Sequence, residues 1–111
     1  MDRYRIETYL DENGSSPFED WVQSIRDAKA RLAISARIDR ASVGDFGDWK
    51  PIKGAKGISE MRIHHAQGFR LYFTIVGRTV VLLLVGSMKQ DQDRAIEKAR
   101  KFLARYKETK P

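Results

Sequence analysis

The stretch that most constrains the fold runs over residues 57–89. Two segments within it, residues 59–64 and 69–76, alternate apolar and polar side chains. Successive residues of a strand point to opposite faces, so each segment is predicted to be a strand with one apolar and one polar face. Residues 79–85 are almost continuously apolar, which is typical of a strand buried on both faces. Short glycine-marked gaps separate the three segments and predict consecutive antiparallel hairpins.

The polar face of these hairpins has a particular chemistry. The alternation assigns Glu60, Arg62 and His64 to the polar side of one strand, and Arg70 and Tyr72 to that of the next. A sheet holds its side chains on a rigid backbone, and guanidinium groups bind phosphate through forked hydrogen bonds. We therefore expect this face to bind a phosphate backbone. The structural alternative is a solvated pair of arginines held by Glu60.

Length and residue types bound the class of protein. Residues 1–111 are predicted to form a single domain with a modest core. The chain has no cysteine, which excludes disulfides and thiolate metal sites. His64 and His65 are neighbours on a predicted strand and point to opposite faces, so a shared metal is not expected. We expect no metal and no cofactor.

Charge and hydropathy indicate location and partners. No run of about 18 apolar residues is present, and residues 1–10 lack the apolar core of a signal peptide, so we expect a cytoplasmic protein that does not associate with membranes. The net charge is +6, but it is uneven, because residues 1–48 carry 7 Lys and Arg against 10 Asp and Glu, whereas residues 49–111 carry 14 against 5. A basic C-terminal half favours nucleic acid or an acidic protein as partner.

The remaining segments complete an α+β order of elements. Residues 4–10 alternate as a first strand, expected to rejoin the sheet. Ser16, followed by Pro17, is predicted to begin one helix and Asp27 a second. Residues 44–51 are predicted to be a loop, because their glycines and proline do not sustain a helix. After Lys89, Asp91 or Asp93 is predicted to cap a final helix with an apolar stripe, and residues 107–111 a frayed tail. We expect helices on one face of the sheet and a partly open second face.

Several blocks in this order resemble the RelE/ParE superfamily of toxins, and most of all its HigB-like "addiction module killer protein" branch. The likeness spans about residues 4–105. The residues that carry it are Phe18-Glu19-Asp20-Trp21, Gly47-Asp48-Trp49-Lys50-Pro51-Ile52, Gly57-Ile58-Ser59-Glu60-Met61-Arg62-Ile63, Gly68-Phe69-Arg70-Leu71-Tyr72-Phe73, Val81-Leu82-Leu83-Leu84-Val85-Gly86-Ser87-Met88-Lys89, Asp91-Gln92-Asp93 and the segment 96–100.

The resemblance implies a fold, an activity and partners. The implied fold has two N-terminal helices packed on a twisted antiparallel sheet, plus a C-terminal helix. The implied activity is that of a type II toxin–antitoxin toxin, a metal-independent endoribonuclease that cleaves mRNA in the ribosomal A site and so inhibits translation. The implied partners are the ribosome with its mRNA and a helix-turn-helix antitoxin encoded nearby.

The same resemblance suggests roles for individual side chains. RNA cleavage without a metal needs a base for the ribose 2′ proton, cations for the phosphorane-like state and an acid for the leaving 5′ oxygen. Arg62 and Arg70 suit the charge-stabilising role, Lys89 that of a third cation or acid, and His64 that of base or acid. The predicted RNA-contacting residues are Tyr72, Lys50, Lys53 and Glu60. Well-understood members tend to place extra lysines on this strand, whereas this chain has Glu60, which is a candidate base or a partner of an arginine.

Two other functions fit the same sequence. A ParE-like toxin shares the fold but binds DNA gyrase and cleaves nothing. A non-toxic RNA- or protein-binding module of the same fold is the third reading. A neighbouring reading frame for a helix-turn-helix protein would favour either toxin over the module.

Overall fold

A computed structural model describes residues 3–109. It is an α+β fold in which one strand is followed by two helices, then by four strands and the last helix. Within the described part of the chain, no helix is long and apolar enough to cross a membrane. The elements are β1 Arg5–Thr8, α1 Pro17–Ser24, α2 Ala28–Ser42, β2 Trp49–Pro51, β3 Ser59–Ile63, β4 Phe69–Val76, β5 Val80–Met88, a 3₁₀ turn Lys89–Asp91 and α3 Gln92–Thr109.

The five strands form one mixed sheet in the order β1-β5-β4-β3-β2. The predicted hairpins are confirmed, since β3 pairs antiparallel with β4 and β4 with β5. The first strand rejoins the sheet as expected, but it pairs parallel to β5, so the prediction of an antiparallel sheet is wrong at this edge. A tight turn forces antiparallel pairing, whereas β1 and β5 are separated in sequence by two helices and three strands, so no turn sets their relative direction.

The first two helices begin where the capping residues predict. The Ser16 hydroxyl accepts a hydrogen bond of 3.0 Å from the Glu19 N–H, and Pro17 occupies the first turn of α1. The Asp27 carboxylate accepts one of 2.9 Å from the Lys29 N–H at the start of α2. Each cap satisfies a backbone donor that has no partner inside the helix.

Both α1 and α2 pack on one face of the sheet. Trp21 of α1 lies directly against β5 at Gly86, where an added Cβ would be 2.1 Å from the Trp21 Cζ3 atom. The glycine is therefore required by close approach of an aromatic ring. The buried residues of this face are Phe18, Ala30, Ile34, Ala41, Met61, Ile63, Phe69, Leu71, Phe73, Val81 and Leu83.

The second face of the sheet is covered by α3, and the expectation of a partly open face is wrong over much of its area. Tyr72 and Leu84 form a core cluster with Ala95, Ala99 and Leu103 of the helix. The physical reason is the apolar stripe of α3, which is stabilised only when it is removed from water. The alternating polar residues of β4 are consequently buried with it.

Three boundaries also differ from the sequence-based expectation. The segment Trp49–Pro51 forms the short edge strand β2, although it was predicted to be a loop. The last helix begins at Gln92 after a 3₁₀ turn that includes Asp91, and Asp93 lies in its first turn. It continues to Thr109, so residues 107–109 are not frayed, while the predicted fraying at residues 110 and 111 lies outside the described residues.

Candidate functional site

The two arginines predicted to form the site lie on neighbouring strands. Arg62 of β3 and Arg70 of β4 are direct cross-strand partners. Both belong to the register of β3 and β4 that faces α3, but they differ in access to solvent. The Arg62 side chain is 28% exposed and that of Arg70 is 11% exposed. Arg62 is thus the member of the pair that a ligand in solution reaches first.

Glu60 joins the two arginines. Its Oε2 accepts a hydrogen bond of 2.8 Å from Arg62 Nε and lies 3.9 Å from Arg70 Nη1. The Glu60 side chain is only 1% exposed, so this carboxylate is buried. Its hydrogen bond to Arg62 raises the pKa of that guanidinium. Removing a carboxylate from water is costly unless cations compensate it, which explains the position of Glu60 between two arginines.

Two buried atoms of this cluster, Glu60 Oε1 and Arg70 Nε, have no hydrogen-bond partner among residues 3–109. Arg37 Nε is in the same state. Buried polar atoms in folded proteins are nearly always satisfied, and an exception calls for a ligand, a water or a catalytic role. The cluster therefore has one unused acceptor and one unused donor beside the half-exposed Arg62.

Tyr72 lies beneath α3 and is fully buried. Its hydroxyl is 3.3 Å from the Ser87 hydroxyl of β5, and burial raises the pKa of the phenol. The predicted contact of Tyr72 with RNA does not fit this structure, because its ring is packed within the core cluster beneath α3. The polar group of Tyr72 in the alternating pattern is therefore paired with a buried hydroxyl and is not on a solvated surface.

The other predicted residues lie around this cluster. His64 follows β3 two residues after Arg62, is highly exposed, and its Nε2 lies 2.6 Å from Asp48 Oδ2. Lys89 is exposed just after β5, and its N–H donates a bond of 3.2 Å to the Gly68 carbonyl. Lys50 of β2 is exposed and is the cross-strand partner of Glu60.

The sheet register thus brings most of the predicted set together. One cross-strand row contains Arg62, Arg70 and Ser87. The next row on the same face contains Lys50, Glu60 and Tyr72. Lys53 is exposed in the turn after β2, outside both rows.

Sequence reasoning missed Asp48 and Arg37. The Arg37 guanidinium donates hydrogen bonds to the carbonyls of Arg62 and, at 2.7 Å, of Phe46, which ties the loop before β2 to β3. For Asp48, the available signal is a carboxylate immediately before the segment that forms β2. Asp48 belongs to one of the blocks that carry the family resemblance, but no role is predicted for its side chain.

Over residues 3–109, no group of three or more His, Asp or Glu side chains is placed to hold an ion. The donors around the cluster are mainly guanidinium and ammonium groups, which repel cations. Its electrostatics suit an anion such as a phosphate diester.

The fold and the cluster define an α+β protein with a buried carboxylate and two arginines on a helix-covered sheet. No family model matches the chain. It is 37% identical over 83 residues to an uncharacterized protein of Haemophilus influenzae, an alignment that covers 75% of this chain and 82% of the relative. The chain belongs to the same family as that protein.

Proposed function

We propose that the protein is the toxin of a type II toxin–antitoxin module and cleaves translated mRNA on the ribosome without a metal. The observation that carries this proposal is the cross-strand pair of Arg62 and Arg70 around the buried Glu60, with the unused atoms Arg70 Nε and Glu60 Oε1. Paired guanidinium groups held by a rigid sheet are preorganised to stabilise charge that develops on a phosphate.

The proposed reaction uses the groups around this pair. The ribose 2′ oxygen attacks the adjacent phosphorus, a 2′,3′-cyclic phosphate forms and the bond from phosphorus to the 5′ oxygen breaks. Arg62 contacts the non-bridging oxygens, with Arg70 behind it. We assign the proton-acceptor role to His64 and the proton-donor role to Lys89. Both are exposed and follow Arg62 and Ser87, respectively, by two residues. Lys50 and Lys53 neutralise neighbouring phosphates.

The RelE/ParE-like arrangement and the partners belong to the same proposal. Two helices between the first strand and a set of antiparallel hairpins, followed by a C-terminal helix, support it. The partners are then the ribosome and a helix-turn-helix antitoxin encoded nearby, in the cytoplasm. The antitoxin inhibits by covering the exposed Arg62 edge or by making the complex too bulky for the A site.

One observation favours a second candidate function. Much of the predicted polar face lies under α3, and Tyr72 is inaccessible. A ParE-like inhibitor of DNA gyrase needs no acid, base or open catalytic face. This alternative predicts toxicity without RNA cleavage.

Induced expression in a bacterial host separates the two functions. Growth and mRNA 5′ ends are followed for the wild type and for Arg70→Ala, with soluble expression and thermal unfolding measured for both. The proposal expects growth arrest and new breaks inside translated codons for the wild type, and neither for a folded variant. Arrest with intact mRNA supports the gyrase alternative. The absence of arrest from soluble, folded wild-type protein contradicts both toxins and leaves the non-toxic binding module.

A further inference from the structure

His64 and Asp48 form a hydrogen-bonded pair beside the arginine cluster. The distance from His64 Nε2 to Asp48 Oδ2 is 2.6 Å, although 16 residues separate the two in sequence. The bond from His64 lowers the pKa of the Asp48 carboxyl, with Arg62 and Arg37 as nearby positive charges. Asp48 is therefore an ionised acceptor over the neutral pH range.

The backbone around Asp48 is fixed from two sides. The Asp48 carbonyl accepts a hydrogen bond of 2.8 Å from the Arg62 N–H, which holds the residue beside β3. Arg37 binds the carbonyls of Phe46 and Arg62, so it joins the same loop to the same strand. Gly47 has φ +62°, and a Cβ there would be 2.7 Å from an Arg37 guanidinium nitrogen. The loop is thus shaped to place a carboxylate next to His64.

This geometry selects one tautomer of the imidazole. An ionised carboxylate only accepts hydrogen bonds, so the hydrogen must lie on His64 Nε2. Nδ1 then carries the lone pair and makes no hydrogen bond within the described residues. A carboxylate that orients an imidazole in this way also stabilises the imidazolium formed when it takes a proton.

We propose that Asp48 is a positioning residue that makes His64 Nδ1 the general base of the cleavage reaction, an inference that rests on the proposed endonuclease function. The 2′-O–H bond breaks and its proton passes to Nδ1 while the bond from the 2′ oxygen to phosphorus forms. The bond from phosphorus to the 5′ oxygen breaks, and that oxygen takes a proton from the Lys89 ammonium or from water. The imidazolium, held by Asp48, later returns its proton to solvent.

A second histidine–carboxylate pair provides a matched control. His65 Nε2 lies 3.2 Å from Asp27 Oδ2, and this carboxylate also caps α2. Asparagine caps a helix about as well as aspartate, so Asp27→Asn removes the charge and keeps the cap. Asp48→Asn and Asp27→Asn thus delete equivalent carboxylates beside neighbouring histidines, and only the first lies next to the arginine cluster.

The first readout is independent of RNA cleavage. Nitrogen-15 NMR of the imidazole rings at about pH 8.5, above the ordinary histidine range, reports which nitrogen carries the hydrogen. The proposal expects the Nε2–H tautomer for His64 in the wild type and in Asp27→Asn, and a mixture in Asp48→Asn. A His64 ring with its hydrogen on Nδ1 in the wild type overturns the proposal.

The second readout is single-turnover cleavage of mRNA on purified programmed ribosomes. His64→Ala is expected to lower the rate about 10²-fold, as for loss of a general base. Asp48→Asn should lower it about 10-fold or more, as for loss of a group that orients a functional histidine. The double variant should be no slower than His64→Ala, because the two residues act as a unit.

Two outcomes distinguish failure of the dyad proposal from failure of the proposed endonuclease function. Wild-type rates for His64→Ala and Asp48→Asn, in an assay where Arg62→Ala is slow, overturn the dyad and leave the endonuclease in place. Intact mRNA with the wild-type protein removes the endonuclease and the catalytic dyad together. The NMR experiment in that case still shows whether the pair exists.

Discussion

Arg62 Nε donates a hydrogen bond of 2.8 Å to Oε2 of the buried Glu60 carboxylate. The partly exposed Arg62 guanidinium is thereby fixed by a carboxylate that is removed from solvent. A surface ion pair contributes little because water screens it, whereas removal of one partner from a buried pair leaves an uncompensated charge. This relationship makes the cluster a structural element as well as a candidate site.

Replacement of Glu60 by glutamine tests that structural role. Glu60→Gln keeps the side-chain volume but turns an amide toward the arginines, and we expect the free energy of unfolding to fall by about 1–3 kcal/mol. Chemical denaturation measures it. The matched control is Glu97→Gln on α3, where the side chain is 67% exposed and a small effect is expected. Equal stability of Glu60→Gln and the wild type would show that the carboxylate is not needed.

The buried phenol of Tyr72 gives a second prediction. Tyr72→Phe removes only the hydroxyl that meets Ser87, so it should lower the free energy of unfolding by about 0.5–1.5 kcal/mol. Toxicity in an expression assay should be unchanged, because the ring lies under α3. Ser87→Ala should have a similar effect, with little added in the double variant. Loss of toxicity in a stable Tyr72→Phe protein would instead place the phenol in contact with RNA.

The contact between Gly86 and Trp21 predicts a steric penalty. Gly86→Ala brings a methyl group into the indole ring and should destabilise the protein by about 1–3 kcal/mol, as overpacking does. Thermal unfolding followed by tryptophan fluorescence measures the effect, with calorimetry where Trp21 is replaced. The same change in a Trp21→Leu background should cost less, which a double-mutant cycle detects. An equal loss of unfolding free energy in both backgrounds would attribute the penalty to the backbone of β5 and not to the contact with Trp21.

Acid stability should depend on Asp45. Its carboxylate accepts hydrogen bonds of 3.0 Å from Arg40 Nε and 3.1 Å from the Gly47 N–H, and the bond from Arg40 is the main reason that its pKa is lowered. A lowered folded-state pKa gives stability that is present above the unfolded value of 3.8 and is lost as pH falls through the folded value. Asp45→Asn should therefore flatten the fall in unfolding free energy below about pH 4.

Salt provides the control for this titration. Asp45 and Arg40 are exposed, so about 1 M salt should weaken the difference between Asp45→Asn and the wild type. Identical acid unfolding of the two proteins at low salt would contradict a contribution from Asp45.

The sequence predicted the elements better than their environment. The alternation of side chains located β3 and β4, and the capping residues Ser16 and Asp27 located the starts of α1 and α2. Strand period and capping are local properties, so the sequence alone was sufficient for these elements. Two features depend on tertiary contacts and could not be predicted from local patterns. They are the parallel pairing of β1 with β5 and the packing of α3 on the second face of the sheet.

The candidate site shows the same division. Alternation predicted that Arg62 and Arg70 lie on the polar face of neighbouring strands, and the register makes them direct cross-strand partners. It also read Tyr72 and Glu60 as solvent-facing, because a polar residue satisfied by a buried partner has the same sequence pattern as an exposed one. Asp48 was missed because its contact with His64 depends on how a loop folds back onto β3.

Mapping of mRNA cleavage on programmed ribosomes tests the claim that the arginine cluster stabilises the transition state of RNA cleavage. Purified protein is added to programmed ribosomes, and mRNA cleavage is mapped for the wild type, Arg62→Ala and the control Arg78→Ala, whose side chain is exposed in the turn between β4 and β5. We predict A-site cleavage by the wild type and the control, and a rate about 10²–10³-fold lower for Arg62→Ala. Intact mRNA with the wild type, or equal cleavage by Arg62→Ala, would contradict the claim.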